Sequence, residues 1–198
     1  MIEALSDANG ASGFEDEVVR TARRFAPAGL ALEEDRMRNL YLRRPENEGR
    51  RPVVMLDAHS DEVSFMVQCV KPDGTLLFIP LGRIVESNIP AHRVRVQTRD
   101  GSYVPGVVAA KPPHFMSEAE RSALPSIESM SIDIGARDDR DAVESYGIRV
   151  GAPVIPDVKF TYDEARDTMI GKAFDCRLGC AAILATLDAL RGERLPLD

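Results

Sequence analysis

The feature that most constrains the fold is a change of hydrophobic pattern along the chain. Apolar residues recur at helical spacing near the amino terminus, and residues 178–190 form a second apolar helical stretch. Between them lie short, evenly spaced strand segments with Gly and Asp-Gly turns, which indicates a small β-barrel or sandwich. The pattern therefore predicts an α/β domain interrupted by an insertion of about 100 residues, the size of a small domain.

Residues 53–56 form a continuous apolar run, Val-Val-Met-Leu. Such a run is typical of a strand that is buried on both faces of a sheet covered by helices. A polar block, residues 57–62, follows at once. Because open α/β sheets place ligands and catalytic groups at the carboxyl ends of their strands, we predict a functional site in this block.

His59 and Asp61 stand two positions apart in the polar block. A neutral imidazole is a common metal ligand, and a nearby carboxylate can accept its other N–H, which fixes the tautomer and the ring orientation. Asp57 and Glu62 add negative charge, which favours a divalent cation. Taken alone, the pair also fits a solvated histidine at a polar junction between strand and loop.

Asp175 lies just before the helical stretch 178–190. A carboxylate at this place can cap the helix by accepting hydrogen bonds from its free backbone N–H groups. It can instead bridge two metal ions about 3.5–4 Å apart, the arrangement used in metal-assisted hydrolysis. The sequence leaves both alternatives open.

The cysteines are Cys69, Cys176 and Cys180, an odd number without Cys-x-x-Cys spacing. This usage predicts free thiols and a reducing, cytoplasmic compartment. Cys176 and Cys180 are interpreted as small buried residues, because no further cysteine or nearby histidine completes a tetrahedral metal site. A Cys-His nucleophilic pair is the less favoured alternative.

Charge and hydropathy narrow the classes of partner. The chain has 25 basic and 32 acidic residues and a formal net charge of -7, whereas nucleic-acid binding calls for a basic surface. No apolar stretch approaches the roughly 18–20 residues of a membrane span, and residues 1–10 do not resemble a signal peptide. We therefore expect a cytoplasmic protein without nucleic-acid or membrane partners.

Five segments occur along almost the whole chain in an order that resembles one known family. They are 56–67, which contains Asp-Ala-His-Ser-Asp-Glu, then 80–82, 111–114, 132–136, and 171–177 with the sequence Gly-Lys-Ala-Phe-Asp-Cys-Arg. Together they resemble peptidase family 42 of the metallo class, the glutamyl, deblocking and tetrahedral aminopeptidases, some of which are labelled endoglucanases. The pairing of the first and last segments is far more specific than either segment alone.

The resemblance implies a fold with two parts. Residues 1–65 and 166–198 are expected to belong to a three-layer α/β metallopeptidase domain, which is incomplete here. Residues 66–165 are expected to form an inserted small β-barrel that serves oligomerisation. The implied partners are a peptide substrate and further copies of the chain, as a dimer or a dodecamer.

The resemblance also implies the roles of three residues. His59 would be a terminal metal ligand, Asp61 the catalytic carboxylate that supports it, and Asp175 the bridging ligand. The centre would hold two divalent ions, zinc or cobalt, and the activity would be the release of N-terminal residues from peptides.

This sequence departs from the family pattern in two places. Cys176 stands where an Asp or Asn usually follows the bridging Asp, and the family supplies a Glu-Glu pair, an Asp and a His beyond position 198. The first Glu of the pair is the family's general base. We therefore expect weak or absent metal binding by these 198 residues alone.

Two other classes of function stay open. The first is a non-catalytic truncated paralogue or fragment that acts as an assembly or interaction subunit. The second is glycoside hydrolysis, which would need two carboxylates flanking a sugar site.

Overall fold

A computed structural model describes all 198 residues, and the chain divides into two compact units. Unit 1 comprises Met1–Glu62 and Lys159–Asp198, and unit 2 comprises Val63–Val158. The boundaries expected from the sequence, 65/66 and 165/166, lie a few residues further along the chain.

The secondary structure follows the chain in three stretches. The first part of unit 1 contains helices α1 (Ile2–Asp7) and α2 (Asp16–Phe25) and strands β1 (Ala31–Glu34) and β2 (Leu40–Arg43). Unit 2 contains β3 (Ser64–Val70), β4 (Leu76–Leu81), β5 (Arg93–Gln97), β6 (Tyr103–Ala110), α3 (Glu118–Ser122), β7 (Met130–Asp133) and β8 (Pro153–Pro156). Unit 1 resumes with β9 (Thr161–Asp163), β10 (Thr168–Ile170) and α4 (Phe174–Ala189). None of the helices has the length and apolar character needed to cross a lipid bilayer.

The six strands of unit 2 close into a barrel with the order β3-β4-β7-β6-β5-β8. All neighbouring strands are antiparallel. Burial alternates along β5, where Val94 and Val96 are buried between more exposed neighbours, as expected when successive side chains point to opposite faces. The alternatives of barrel and sandwich are thereby resolved in favour of a barrel.

Strand β8 closes the barrel, although the sequence pattern did not indicate it. Its first and last residues, Pro153 and Pro156, pair with Met66 and Val94. Proline has no N–H to donate to the hydrogen bonds between strands and is confined to strand ends, edges and bulges. Two prolines in four residues therefore make this segment unlike a strand in sequence.

The core of unit 1 forms where α1, α2 and α4 pack together, with Leu5, Val18 and Leu184 among its buried residues. The helix predicted near the amino terminus is confirmed as α2. No side chain caps this helix, and Ser12 just before it donates its hydroxyl hydrogen to Asp61.

The prediction of a buried central strand at residues 53–56 is also wrong for this structure. The exposed fractions of Val53, Val54, Met55 and Leu56 are 74%, 53%, 79% and 53%. A strand buried on both faces needs strand neighbours and covering helices. The sheets of unit 1 are the separate pairs β1–β2 and β9–β10, neither of which includes this run. The backbone of this run is hydrogen-bonded to that of Asp198. The Asp198 carbonyl accepts from the N–H of Val54, and the Asp198 N–H donates to the carbonyl of Pro52.

Candidate metal centre

The three side chains nominated as site residues lie in contact in unit 1. His59 Nδ1 is 3.0 Å from Asp61 Oδ1, and His59 Nε2 is 3.1 Å from Asp175 Oδ1. His59 and Asp175 are 116 positions apart in the sequence. The imidazole therefore lies between two carboxylates, one at each ring nitrogen.

Hydrogen bonds hold the carboxylate of Asp61 on both oxygens. Its Oδ2 accepts from the Ser12 hydroxyl, while its Oδ1 faces the imidazole of His59. Partial burial acts to raise the pKa of the Asp61 carboxyl, but the hydrogen bonds from Ser12 and His59 outweigh it and lower the pKa. Asp61 is thus kept ionised and oriented, as an acceptor that fixes the ring of His59.

The two carboxylates also act on the protonation of His59. Partial burial acts to lower the pKa of its imidazole, but the hydrogen bonds to Asp175 and Asp61 and their charges raise it. Both ring nitrogens therefore face acceptors, and positive charge is stabilised between Nε2 and Asp175. A divalent cation at this place would take the Nε2 lone pair of a neutral His59 and an oxygen of Asp175, while Nδ1–H donates to Asp61.

Asp175 lies at an irregular start of α4. The backbone of Ala173 is left-handed, the peptide bond from Asp175 to Cys176 is cis, and both Asp175 and Cys176 have non-helical dihedral angles. The side chain of Asp175 is 95% exposed and makes no capping hydrogen bond. Of the two alternatives left open by the sequence, helix capping is therefore not the role that Asp175 has in this structure.

Cys176 joins this cluster, which the sequence did not indicate. Ligand atoms of His59, Asp175 and Cys176 all lie within 4.8 Å of one another. Cys176 and Cys180 are half-buried rather than buried, and the thiol of Cys180 faces the carbonyl of His59. All three cysteines are free thiols, as predicted. Imidazole nitrogen, carboxylate oxygen and thiolate sulfur all suit zinc and cobalt, so the donor set fits such an ion.

A buried group of charges lies beside the cluster. Glu62 accepts from Lys172 and from Arg177 Nη2, the latter at 3.2 Å. All three side chains are at most 4% exposed. Arg177 Nε also donates to the carbonyl of Ser60 at 2.9 Å. Sequence reasoning missed Lys172 and Arg177, although charged residues that flank Asp175 before an apolar helix were a usable signal.

Close packing brings α4 against the segment that carries His59. A Cβ atom built on Gly179 would lie 3.0 Å from the Cβ of Ala58 and 2.8 Å from the sulfur of Cys176. Only glycine leaves room for this approach. The thiol of Cys180 lies 3.4 Å from the carbonyl oxygen of His59, and burial raises the pKa of that thiol.

Comparisons with known proteins agree on one family. The family described as M42 glutamyl aminopeptidase matches residues 39–198. The glutamyl aminopeptidase of Lactococcus lactis subsp. cremoris is 30% identical over 198 residues, covering 99% of this chain and 56% of the relative.

Solved structures agree on the fold. The TET aminopeptidase of the marine sediment archaeon Thaumarchaeota archaeon SCGC AB-539-E09 is 30% identical, with a TM-score of 0.86. The match covers 96% of this chain and 52% of the archaeal chain. The TET1 peptidase of Pyrococcus horikoshii has the same fold, with a TM-score of 0.81 at 23% identity over 94% of this chain and 54% of that one. The predicted fold class, an α/β metallopeptidase domain with an inserted β-barrel, is confirmed.

Family match and structural likeness extend over most of the chain, and the family match includes the segments that carry His59 and Asp175. The relatives are longer, so the chain spans about half the length of those it matches. The chain belongs to the M42 glutamyl aminopeptidase family.

Proposed function

We propose that this chain is the amino-terminal part of a two-metal aminopeptidase that releases N-terminal residues from peptides. The observation that carries the proposal is the contact of His59 with Asp175 across 116 positions, supported on the other side of the ring by Asp61. In this proposal His59 and Asp175 hold divalent ions, zinc or cobalt, and Asp175 is the bridging ligand. Such ions would polarise the scissile carbonyl and lower the pKa of water.

The residues of this chain supply position and charge. Asp61 accepts from His59 Nδ1 and so directs Nε2 toward Asp175. Ser12 holds Asp61 in turn. Such supporting hydrogen bonds raise the basicity of a histidine ligand and fix its orientation.

The proposal requires donors beyond those gathered here. A catalytic zinc ion typically has three protein ligands and an open position, so two ions that share Asp175 need more donors than His59, Asp175 and the thiol of Cys176. Peptide hydrolysis also needs a carboxylate that takes a proton from water and passes it to the leaving amine. The family resemblance assigns that base to the Glu-Glu pair. We therefore expect these 198 residues alone to bind metal weakly or not at all and to hydrolyse no peptide.

A hybrid protein tests the proposal. These 198 residues are joined to the part of the Lactococcus lactis glutamyl aminopeptidase that the chain does not match. Hydrolysis of aminoacyl nitroanilides is then measured with and without added zinc or cobalt. We expect metal-dependent release that is lost in His59→Ala and kept in His92→Ala, which alters an exposed histidine of unit 2. Undiminished activity of His59→Ala would contradict the site assignment.

Assembly is the second part of the proposal. Pyrococcus horikoshii TET1 peptidase can assemble into a tetrahedron or a large octahedral shell. The barrel of unit 2 is closed within these residues and needs no further strand. We infer that unit 2 forms contacts between copies, giving a dimer or a dodecamer, even if the chain is a non-catalytic assembly subunit. Light scattering on the purified chain measures the mass, and a monomer at all concentrations would count against this part.

The downstream reading frame separates the catalytic and non-catalytic alternatives. A frame that continues past codon 198 into Glu-Glu, Asp and His favours the peptidase, whereas a stop codon there favours the assembly subunit.

Glycoside hydrolysis gains no support from the cluster. Glycosidases place two carboxylates on either side of the scissile bond, with room for a sugar or a water between them. Here the imidazole of His59 fills the space between Asp61 and Asp175, in hydrogen-bond contact with both.

A further inference from the structure

We propose that Arg177 is a positioning residue that fixes the separation between His59 and Asp175. The inference rests on the proposed function, but the contact of His59 with Asp175 that it explains is present without metal. Arg177 follows Asp175 by two residues, and its Nε donates to the carbonyl of Ser60 at 2.9 Å. Ser60 lies between His59 and Asp61. One side chain therefore links the start of α4 to the segment that carries the other two site residues.

The backbone at and just after α1 accepts from the two terminal nitrogens of the guanidinium group. Its Nη1 donates to the carbonyls of Leu5 at 3.0 Å and Ala8 at 2.6 Å. Its Nη2 lies 3.5 Å from the carbonyl of Gly10. A Cβ atom on Gly10 would lie 2.6 Å from Nη2, so the absence of a side chain there makes room for the group. The side chain of Arg177 is 1% exposed, and its place is set by these contacts.

Only arginine can make this set of bonds. Its guanidinium presents five N–H donors in a rigid planar fork, whereas lysine has one ammonium on a flexible stem. The Nε donor points to Ser60 while the two terminal nitrogens face α1 and Glu62. A lysine at this position would keep the charge beside Glu62 but could not also hold Ser60.

Lys172 supplies a matched control. It shares Glu62 with Arg177 and also donates to the carbonyl of Ala8 at 3.0 Å. Its side chain is 4% exposed, so both cations are buried. Lys172→Met therefore disturbs the buried charges while Arg177 keeps its Nε donor on the carbonyl of Ser60.

The test uses nitrogen NMR of the histidine side chains in the metal-free chain at one fixed pH. The chain has three histidines, and His92 and His114 lie in unit 2 as internal references. We expect Arg177→Lys to shift both His59 nitrogen signals, because the ring loses its fixed place between the two carboxylates. Lys172→Met should lower the thermal stability while leaving the His59 signals in place.

A merely structural role gives a different outcome. If both variants move the His59 signals in proportion to their loss of stability, or if neither moves them, the positioning role is overturned. The signals of His92 and His114 show in each sample whether unit 2 is still folded.

A measurement on the unaltered chain keeps the inference testable if Arg177→Lys does not fold. The Nε–H of Arg177 should exchange with solvent about 100-fold more slowly than that of the exposed Arg36, because hydrogen-bonded buried groups exchange only on local opening. Equally fast exchange would overturn the proposal. Failure of the hybrid enzyme to hydrolyse peptides would leave these two readouts unchanged, so the two proposals can fail separately.

Discussion

Replacing Met55 by lysine tests whether the apolar run at residues 53–56 is buried in this chain. Met55 is 79% exposed, and the other residues of the run are more than half exposed. A lysine there can lay its methylene stem along the surface and keep its ammonium in water. We therefore expect Met55→Lys to leave the free energy of unfolding of unit 1 almost unchanged.

The magnitude follows from the exposed fraction. Fully burying a methionine side chain stabilises a protein by about 1.5–3 kcal/mol. Since Met55 is 79% exposed, only about a fifth of that, ~0.3–0.6 kcal/mol, can be lost. Leu5, by contrast, is 0% exposed in the core of unit 1, and Leu5→Ala should cost about 2–5 kcal/mol. The two variants should differ several-fold.

Urea unfolding followed by far-ultraviolet circular dichroism measures both variants. The signal reports mainly on unit 1, which contains α1, α2 and α4, and the absence of tryptophan makes the usual fluorescence probe unsuitable. A loss above about 1.5 kcal/mol for Met55→Lys would refute the reasoning and place the run in a core. In the hybrid protein the same change should cost at least as much as Leu5→Ala, if added strands bury the run and leave the ammonium without a partner.

Three further predictions concern the barrel of unit 2. The hydrogen bond from Thr98, together with those from Ser102, lowers the pKa of Asp100 from an ordinary 3.8 to about 2. The ionised Asp100 therefore stabilises the fold above pH 3.8, and this stabilisation is lost as the pH falls through about 2. Thr98→Val should move that pKa back toward 3.8 in a carbon NMR titration of the carboxyl, and an unchanged midpoint would contradict the assignment. Gly74 and Gly101 both have positive φ, but a Cβ on Gly74 would lie 2.7 Å from a backbone carbonyl oxygen while one on Gly101 meets nothing within 4 Å. Gly101→Ala should therefore cost about 1–2 kcal/mol and Gly74→Ala clearly more, and equal costs in thermal unfolding would count against the packing described. Ile132 is 0% exposed, so Ile132→Ala should cost about 2–5 kcal/mol in the same assay, and a loss below about 1 kcal/mol would show that its site is not well packed.

The barrel was largely predictable because its strands carry a local signal. Alternating burial in β5 follows directly from alternating residue types, and the turn at Gly74 connects two strands that the pattern had already indicated. The closing strand β8 was not predictable in this way, since Pro153 and Pro156 remove donors and break the alternation. Its place is decided by pairing with β3 and β5, which lie far away in the sequence.

The site could be nominated from the sequence, but its supports could not. His59 and Asp175 stand in recognisable segments, so their contact was a reasonable expectation. The buried charges could not be expected in the same way, because a Lys or Arg is ordinarily a surface residue. Lys172 and Arg177 are buried only because the fold brings Glu62, 110 and 115 positions away, and several backbone carbonyls to them. Such a network is a property of tertiary structure and leaves little trace in local pattern.

The exposure of residues 53–56 gives the buried charges of Glu62, Lys172 and Arg177 a role in holding the site. In an α/β sheet, neighbouring strands hold the backbone that leads to the site, but residues 53–56 have no such neighbours here. Besides its contacts with Asp198 and α4, the segment that carries His59 is held at its far end. Glu62 donates its backbone N–H to the carbonyl of Gly10 at 2.8 Å, and Arg177 holds Ser60. The proposed role of Arg177 makes the contact of His59 with Asp175 depend on this support, so Arg177→Lys should disturb the site and Met55→Lys should leave it intact.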